Sequence, residues 1–70
     1  MSRLTGKLGA AVRARRLRLG LSQEALAALA DVSRTHVSEV ERGTANVSIL
    51  TLERLAKALN VELSDLLKGT

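Results

Sequence analysis

The sequence predicts an all-α protein, a compact five-helix bundle forming a single domain over residues 1–70. Three observations carry this prediction. Apolar residues recur at helical spacing along the chain, and no segment alternates apolar and polar residues as a half-buried strand does. Alanine and leucine, both strong helix formers, dominate a composition that is 46% hydrophobic and has no proline or aromatic residue. Glycine and serine stand between the apolar segments, where helices are expected to end and begin.

The first predicted helix runs from about Thr5 to Leu19 and stops at Gly20, with Leu8, Val12 and Leu19 on its apolar stripe. Residues 1–20 contain no acidic residue but six basic ones: Arg3, Lys7, Arg13, Arg15, Arg16 and Arg18. A basic segment of this kind favours a polyanion such as nucleic acid or an anionic membrane. An ordinary solvated helix face has the same composition, so the charge alone does not decide between these interpretations.

The second predicted helix follows Ser22, a residue preferred at the N-cap, and runs to Ala30. Its buried face is predicted to contain Leu26, Ala27 and Ala30. Asp31 and Val32 form a tight turn, and Ser33 caps a third helix. The third helix runs to about Arg42 and is closed by Gly43, since glycine is common just past a helix end.

The segment Gln23–Arg42 therefore contains two helices joined by a turn too short for antiparallel packing. Helices that cross steeply must approach closely, which demands a small residue at the contact, and Ala27 is predicted to fill this role. Val32, Val37 and Val40 supply the apolar seal between the two helices. This is the helix-turn-helix layout, whose second helix fits the major groove of DNA.

The outward face of the third helix carries only side chains with hydrogen-bonding groups: Arg34, Thr35, Ser38, Glu39 and Arg42. Short and forked polar groups suit base edges and phosphates. Taken alone, this helix would be interpreted as having an ordinary solvated face. The preceding turn, the serine caps and Ala27 favour recognition of nucleic acid.

The fourth helix is predicted between the cap Ser48 and Leu59, after a loop at residues 44–47. Its predicted buried face contains Leu52, Leu55, Ala56 and Leu59. A short fifth helix runs from about Leu63 to Lys68 and ends at Gly69. This last region offers more apolar side chains than a short helix needs, and we divide them between the core and a homodimer interface: Val61, Leu63, Leu66 and Leu67.

Two opposite charges fall on predicted buried faces. Arg16 lies between Val12 and Leu19, and Glu41 follows Val37 by four residues. A buried charge without a partner is costly. We therefore expect Arg16 and Glu41 to form a bidentate ion pair that ties the first helix to the third, with a structural role.

Several function classes are disfavoured. The chain has no cysteine, and His36 alone cannot build a metal site, so neither a metal nor another cofactor is expected. An enzyme is not expected, because Ser22, Ser33 and Ser48 stand where helix caps are needed. The longest apolar run, at residues 25–30, is far too short to span a membrane, and residues 1–20 lack a signal-peptide core. We expect no membrane partner and a cytoplasmic location.

The segments LSQEALA, ERG and NVSILTLERLAKAL, in this order and spacing, resemble phage repressor and Cro-like helix-turn-helix transcription regulators of the xenobiotic-response-element type. The resemblance covers residues 8–67. The run RTHVSEVERG also resembles the controller proteins of restriction-modification systems. The family usually has glycine in the turn, where this chain has Asp31. That position is expected to need a positive φ, which aspartate tolerates less well than glycine.

The resemblance implies roles for individual residues. Gln23 matches a glutamine that grips a phosphate, and Arg34, Thr35 and Glu39 match base-reading positions, with Ser38 beside them. The positions that contact the DNA backbone are matched by Arg42, Thr44 and Asn46. Arg16 and Glu41 match a family ion pair, in agreement with the burial argument.

The predicted function is sequence-specific binding of double-stranded DNA by a homodimer on a palindromic operator, as a transcription regulator. Two alternatives come from other classes. An antitoxin-like module would be expected to carry a long tail for a protein partner, but only residues 68–70 follow the last predicted helix. A helix that lies on membranes usually carries tryptophan or phenylalanine anchors, and this sequence has none.

Overall fold

A computed structural model describes residues 3–68, with side chains from residue 5 onward. Within that range it contains five α-helices and no strand: α1 Arg3–Arg18, α2 Gln23–Ala30, α3 Arg34–Arg42, α4 Ile49–Ala58 and α5 Leu63–Leu67. The predicted all-α, five-helix architecture is confirmed, and each of these boundaries lies within two residues of its predicted position. The side chain of Arg3 and the predicted helix stop at Gly69 lie outside the described residues.

Three of the four connections between helices share one design, at residues 20–22, 31–33 and 60–62. The first residue of each is left-handed, with φ of 72° at Gly20, 57° at Asp31 and 58° at Asn60. The second is a half-buried apolar residue whose N–H donates to a carbonyl five residues earlier, at 3.0 Å in each case. The third is the N-cap of the next helix. Each helix end is thus satisfied locally, which keeps the connections short.

One hydrophobic core lies between the helices. Its buried members are Leu8, Ala11, Val12, Leu26, Ala27, Ala30, Val37, Val40, Leu52, Leu55, Ala56, Leu59 and Leu66. Within it α1 packs against α3 and α5, α2 packs against α3 and α4, and α4 packs against α5. The prediction that Leu19 belongs to the buried stripe of α1 is wrong, because the helix ends at Arg18 and leaves Leu19 43% exposed.

The backbones of α1 and α3 come close together at Gly9. A Cβ atom at this position would overlap the carbonyl oxygens of Val40 and Glu41, which belong to the backbone of α3. Glycine is therefore required here by the backbone-to-backbone contact, although it costs about 1 kcal/mol relative to alanine inside a helix. The position of α3 against the body of the protein is set at this crossing.

Among the described residues, no helix is long and apolar enough to cross a membrane. The same part of the chain holds no group of three or more histidine, cysteine, aspartate or glutamate side chains arranged to bind a metal ion.

Candidate nucleic-acid interface

The third helix divides into an anchored face and an open face. Val37 and Val40 are fully buried, and each buried valine of this kind contributes about 1.5–3 kcal/mol to folding. On the opposite side Arg34, Thr35 and Arg42 are exposed, whereas Ser38 and Glu39 are half-buried. The five outward residues singled out from the sequence thus lie on one accessible side of a helix whose inner side is fixed in the core.

Both ends of α3 are closed by the residues that the sequence indicates. The Ser33 side chain accepts a hydrogen bond from the backbone N–H of His36 at 3.0 Å. Gly43 adopts a left-handed conformation, with φ of 73°, and ends the helix. A serine cap stabilises a helix by about 1 kcal/mol relative to alanine. The outward side chains therefore stand on a short helix whose start and end are well defined.

The predicted ion pair between Arg16 and Glu41 is present. Arg16 donates from Nε to Glu41 Oε2 at 2.6 Å and from Nη2 to Oε1 at 3.0 Å. Its third donor, Nη1, bonds the backbone oxygen of Leu21 at 2.8 Å. The hydrogen bonds to Glu41 raise the pKa of Arg16 above its ordinary value, and burial only partly opposes this. The pair ties α1 to α3, and Arg16 also holds the middle residue of the connection that leads into α2.

Gln23 joins this network. As the first residue of α2 it is half-buried, and its Nε2 donates to Glu41 Oε1 at 3.2 Å. The Glu41 carboxylate therefore links α1, α2 and α3 at one point. A carboxamide nitrogen has a second N–H, which this bond does not use. The side chain is held in place with a donor still available at the N-terminus of α2.

Glu24 and Glu39, the carboxylates on the outer side of α2 and α3, each lie near a basic side chain. Glu24 Oε1 is 4.0 Å from Arg34 Nε, and both side chains are well exposed, at 80% and 63%. Glu39 Oε1 is 3.9 Å from Nδ1 of His36, one turn earlier on α3. Of the two carboxylates, Glu24 therefore has a permanently charged neighbour, Arg34.

The loop that follows α3 is tied back to it. Thr44 donates to the backbone oxygen of Glu39 both from its N–H, at 3.0 Å, and from Oγ1, at 3.2 Å. Asn46 is exposed two residues later. These two polar residues lie next to the C-terminal end of α3, beside Arg42.

The four residues predicted for a dimer interface differ in how exposed their side chains are. Leu66 is only 1% exposed and belongs to the core of the single chain, so its assignment to an interface is wrong. Val61 and Leu63 are half-buried at the edge of the core, and Leu67 is 44% exposed. Ile49, at the start of α4, is 62% exposed and was not predicted as an interface residue.

The family model described as helix-turn-helix matches residues 12–66, which include all of α2 and α3 and the buried pair that anchors them. The chain belongs to the helix-turn-helix family. The family resemblance inferred from the sequence segments is thereby confirmed.

Curated relatives place the chain close to one branch of this family. It is 50% identical over 50 residues to control protein C.BamHI of Bacillus amyloliquefaciens, covering 71% of this chain and 62% of the relative. It is 42% identical over 52 residues to control protein C.MunI of Mycoplasma sp, covering 74% and 70%. The match thus spans less than two thirds of C.BamHI. The names of these relatives describe control proteins, in agreement with the expectation of a regulator rather than an enzyme.

Solved structures of helix-turn-helix regulators are also similar to this chain. The restriction-modification controller protein C.AhdI of Aeromonas hydrophila is similar with a TM-score of 0.87 and 44% identity, over 89% of this chain and 94% of that one. The clp gene regulator ClgR of Corynebacterium glutamicum has a TM-score of 0.91 and 35% identity, over 97% and 72%. The fold and the order of the helices are those of helix-turn-helix regulators.

Three features of this surface were not found from the sequence. The close backbone contact at Gly9 could have been predicted, since a glycine inside a predicted helix often marks such a contact. No sequence pattern indicates the other two features, which are the contact of Glu24 with Arg34 and the bond from Gln23 to Glu41. Both depend on the crossing angle of α2 and α3.

Proposed function

We propose that this protein is a sequence-specific, double-stranded DNA-binding transcription regulator that acts as a homodimer on a palindromic operator. The observation that carries the proposal is the division of α3, with Val37 and Val40 buried and a continuous polar side accessible. A side of this composition on the second helix of the motif fits the major groove. The proposal includes the cytoplasmic location that the sequence favours.

Base recognition would come from the first two turns of α3. The two terminal nitrogens of Arg34 match the O6 and N7 acceptors of guanine, and such a bidentate contact discriminates by about 1–3 kcal/mol. Thr35 would place its methyl group against thymine, and Ser38 would bond either acceptor or donor. Glu39 would accept from a cytosine amino group. Its Oε1 lies 3.9 Å from Nδ1 of His36, which stands between this carboxylate and the start of α3.

Phosphate contacts would fix the position of α3 in the groove. Arg42 and the loop residues Thr44 and Asn46 lie at its C-terminal end, and Gln23 lies at the N-terminus of α2. Backbone N–H groups at a helix N-terminus attract anions, and the Gln23 side chain is oriented there by its bond to Glu41. Such contacts supply affinity that weakens steeply as the salt concentration rises.

One copy of the chain is too short to span a full turn of DNA, so we propose that two copies bind the operator. The described residues extend 26 Å at most, less than the roughly 34 Å of one turn of DNA. A concave surface near α5 contains Val61 and Leu63 together with Arg15, Lys57 and Glu53. A two-fold interface presents one surface to itself, so a surface with apolar residues and both charge signs suits it.

We place the homodimer interface at this surface, with Ile49 and Leu67 at its margin. Ile49 precedes Glu53 by four residues and so lies on the same side of α4. Its high exposure leaves apolar area that a partner chain would cover. Leu66 takes no part, because its side chain is already buried in the monomer.

The test is selection of bound duplexes from a random pool, followed by sedimentation of the protein alone and with the selected site. We expect an inverted repeat with half-sites about one helical turn apart, bound by two chains. A pool that remains random after selection would overturn sequence-specific recognition. A selected site bound by a single chain would overturn the homodimer while leaving recognition in place.

A further inference from the structure

The exposed carboxylate of Glu24 stands beside Arg34, the residue proposed to read guanine. Glu24 is the second residue of α2, and nothing in the fold buries or caps it, since its side chain is 80% exposed. A carboxylate at this place opposes the approach of phosphates, so it lowers the affinity for DNA in general. Its position next to a base-reading cation indicates a role other than affinity.

The pair of Glu24 and Arg34 is a contact between opposite charges at 4.0 Å, longer than a hydrogen bond. Glu24 Oε1 approaches Nε of Arg34, on the side of the guanidinium nearest the main chain. Within residues 5–68, no hydrogen bond is made by the two terminal nitrogens of Arg34, Nη1 and Nη2. These terminal donors are the ones that form two parallel bonds to guanine when arginine points end-on at the base. Contact with guanine is therefore compatible with the Glu24 pair.

Contact with a phosphate has a different outcome. A phosphate beside α3 draws the guanidinium sideways, away from Glu24, or places its own negative charge near the Glu24 carboxylate. Both cost free energy, because either the pair is lost or like charges are brought together. Guanine in the groove avoids both costs.

Resting on the DNA-binding function proposed above, we infer that Glu24 is a positioning residue that raises sequence discrimination by holding Arg34 for guanine and against phosphate. It acts through Arg34 and makes no base contact of its own. Exposed ion pairs contribute at most about 1 kcal/mol, which corresponds to about a twofold to fivefold change in an equilibrium ratio. Glu24 therefore adjusts discrimination and does not create it.

A double-mutant cycle tests this inference. Wild type, Glu24→Gln, Arg34→Ala and the double variant are each titrated with the selected operator and with a duplex of the same composition in shuffled order. Glu24→Gln keeps the size of the side chain and removes its charge. We expect it to strengthen binding to shuffled DNA, and to lower the ratio of operator to shuffled affinity by about twofold to fivefold. In the Arg34→Ala background the same substitution should leave that ratio unchanged.

The outcomes separate the two proposals. A change in the ratio of the same size in both backgrounds would mean that Glu24 acts as a general negative charge, which overturns the inference. An unchanged ratio with Arg34 present overturns it as well, while the DNA-binding function stands. If wild type itself does not distinguish operator from shuffled DNA, the proposed function fails and the inference with it. Equal melting temperatures of wild type and Glu24→Gln establish that folding does not contribute.

Discussion

Arg16 on α1 and Glu41 on α3 meet through two parallel hydrogen bonds of 2.6 and 3.0 Å, with side chains only 9% and 3% exposed. The Glu41 carboxylate also accepts from Gln23 on α2. One carboxylate thus connects the helix that would enter DNA to both of the helices behind it.

Glu41→Gln should lower the free energy of unfolding by about 3–5 kcal/mol, since it leaves the buried Arg16 guanidinium without a counter-charge. A domain of this size has only about 4–10 kcal/mol in total, so the variant should lose about a third or more of its stability. Urea denaturation followed by circular dichroism measures the loss. Glu24→Gln is the matched control, because its exposed pair should change stability by less than about 1 kcal/mol. Equal unfolding midpoints for the two variants would contradict the structural role of Glu41.

The two glycines of α1 should respond in opposite directions to alanine. Gly9→Ala should destabilise the protein by about 1–3 kcal/mol, since the new methyl group must push α1 away from α3. Gly6→Ala should stabilise it by about 0.5–1 kcal/mol, because no atom lies within 4 Å of the added Cβ and alanine favours the helix. Thermal melts of both variants test this pair. A stabilising Gly9→Ala would show that the crossing of α1 and α3 is looser than described.

Asp31→Gly should stabilise the protein by up to about 1 kcal/mol, because Asp31 adopts φ of 57° and ψ of 47°, a conformation that strains most residues other than glycine. The greater freedom of glycine in the unfolded chain offsets part of this gain. Asp31→Ala serves as the comparison, since it removes the charge while keeping the strained backbone. A Gly variant no more stable than the Ala variant would show that the left-handed conformation carries no strain.

Arg34→Ala should weaken binding to the selected operator by about 1–3 kcal/mol and change binding to shuffled DNA much less. Arg42→Ala, at the other end of α3, should weaken binding to both duplexes similarly and reduce the salt slope by about one, as expected for a phosphate contact. Titrations at several salt concentrations distinguish the two variants. An equal loss on both duplexes for Arg34→Ala would remove it from the base-reading set.

Ile49→Asp should convert the proposed homodimer to monomer at micromolar concentration, since it puts a charge on the apolar area that the partner chain would cover. Leu17→Asp is a matched control, because Leu17 on α1 is also exposed, at 53%, and does not line the proposed interface. Sedimentation equilibrium gives the mass of each variant. Dissociation of both variants, or of neither, would move the interface away from α4 and α5.

The local features of the fold were accessible from the sequence. Ser22, Ser33 and Ser48 cap helices as predicted, and Asp31 has the positive φ expected from its place in the turn. Helix caps and turn conformations depend on a few neighbouring residues, so their residue types are enough to predict them. The buried pair of Arg16 and Glu41 was also accessible, because charge on an apolar face demands a partner.

Features that depend on how helices meet were harder to predict. Leu19 continues the apolar stripe in sequence, but the helix ends before it, so it faces solvent. The burial of Leu66 follows from the way α5 packs against α4 and α1, which periodicity does not specify. The approach of Glu24 to Arg34 similarly requires the angle between α2 and α3.

The residues that anchor α3 and those proposed to read bases are different sets. Val37, Val40 and Glu41 hold the helix, whereas substitutions at Thr35, Ser38 or Glu39 change side chains that face outward. New operator preferences are therefore open to evolution, or to a designer exchanging these outward residues between relatives, with little loss of foldability. The same fold can therefore present different sets of base-reading side chains on α3.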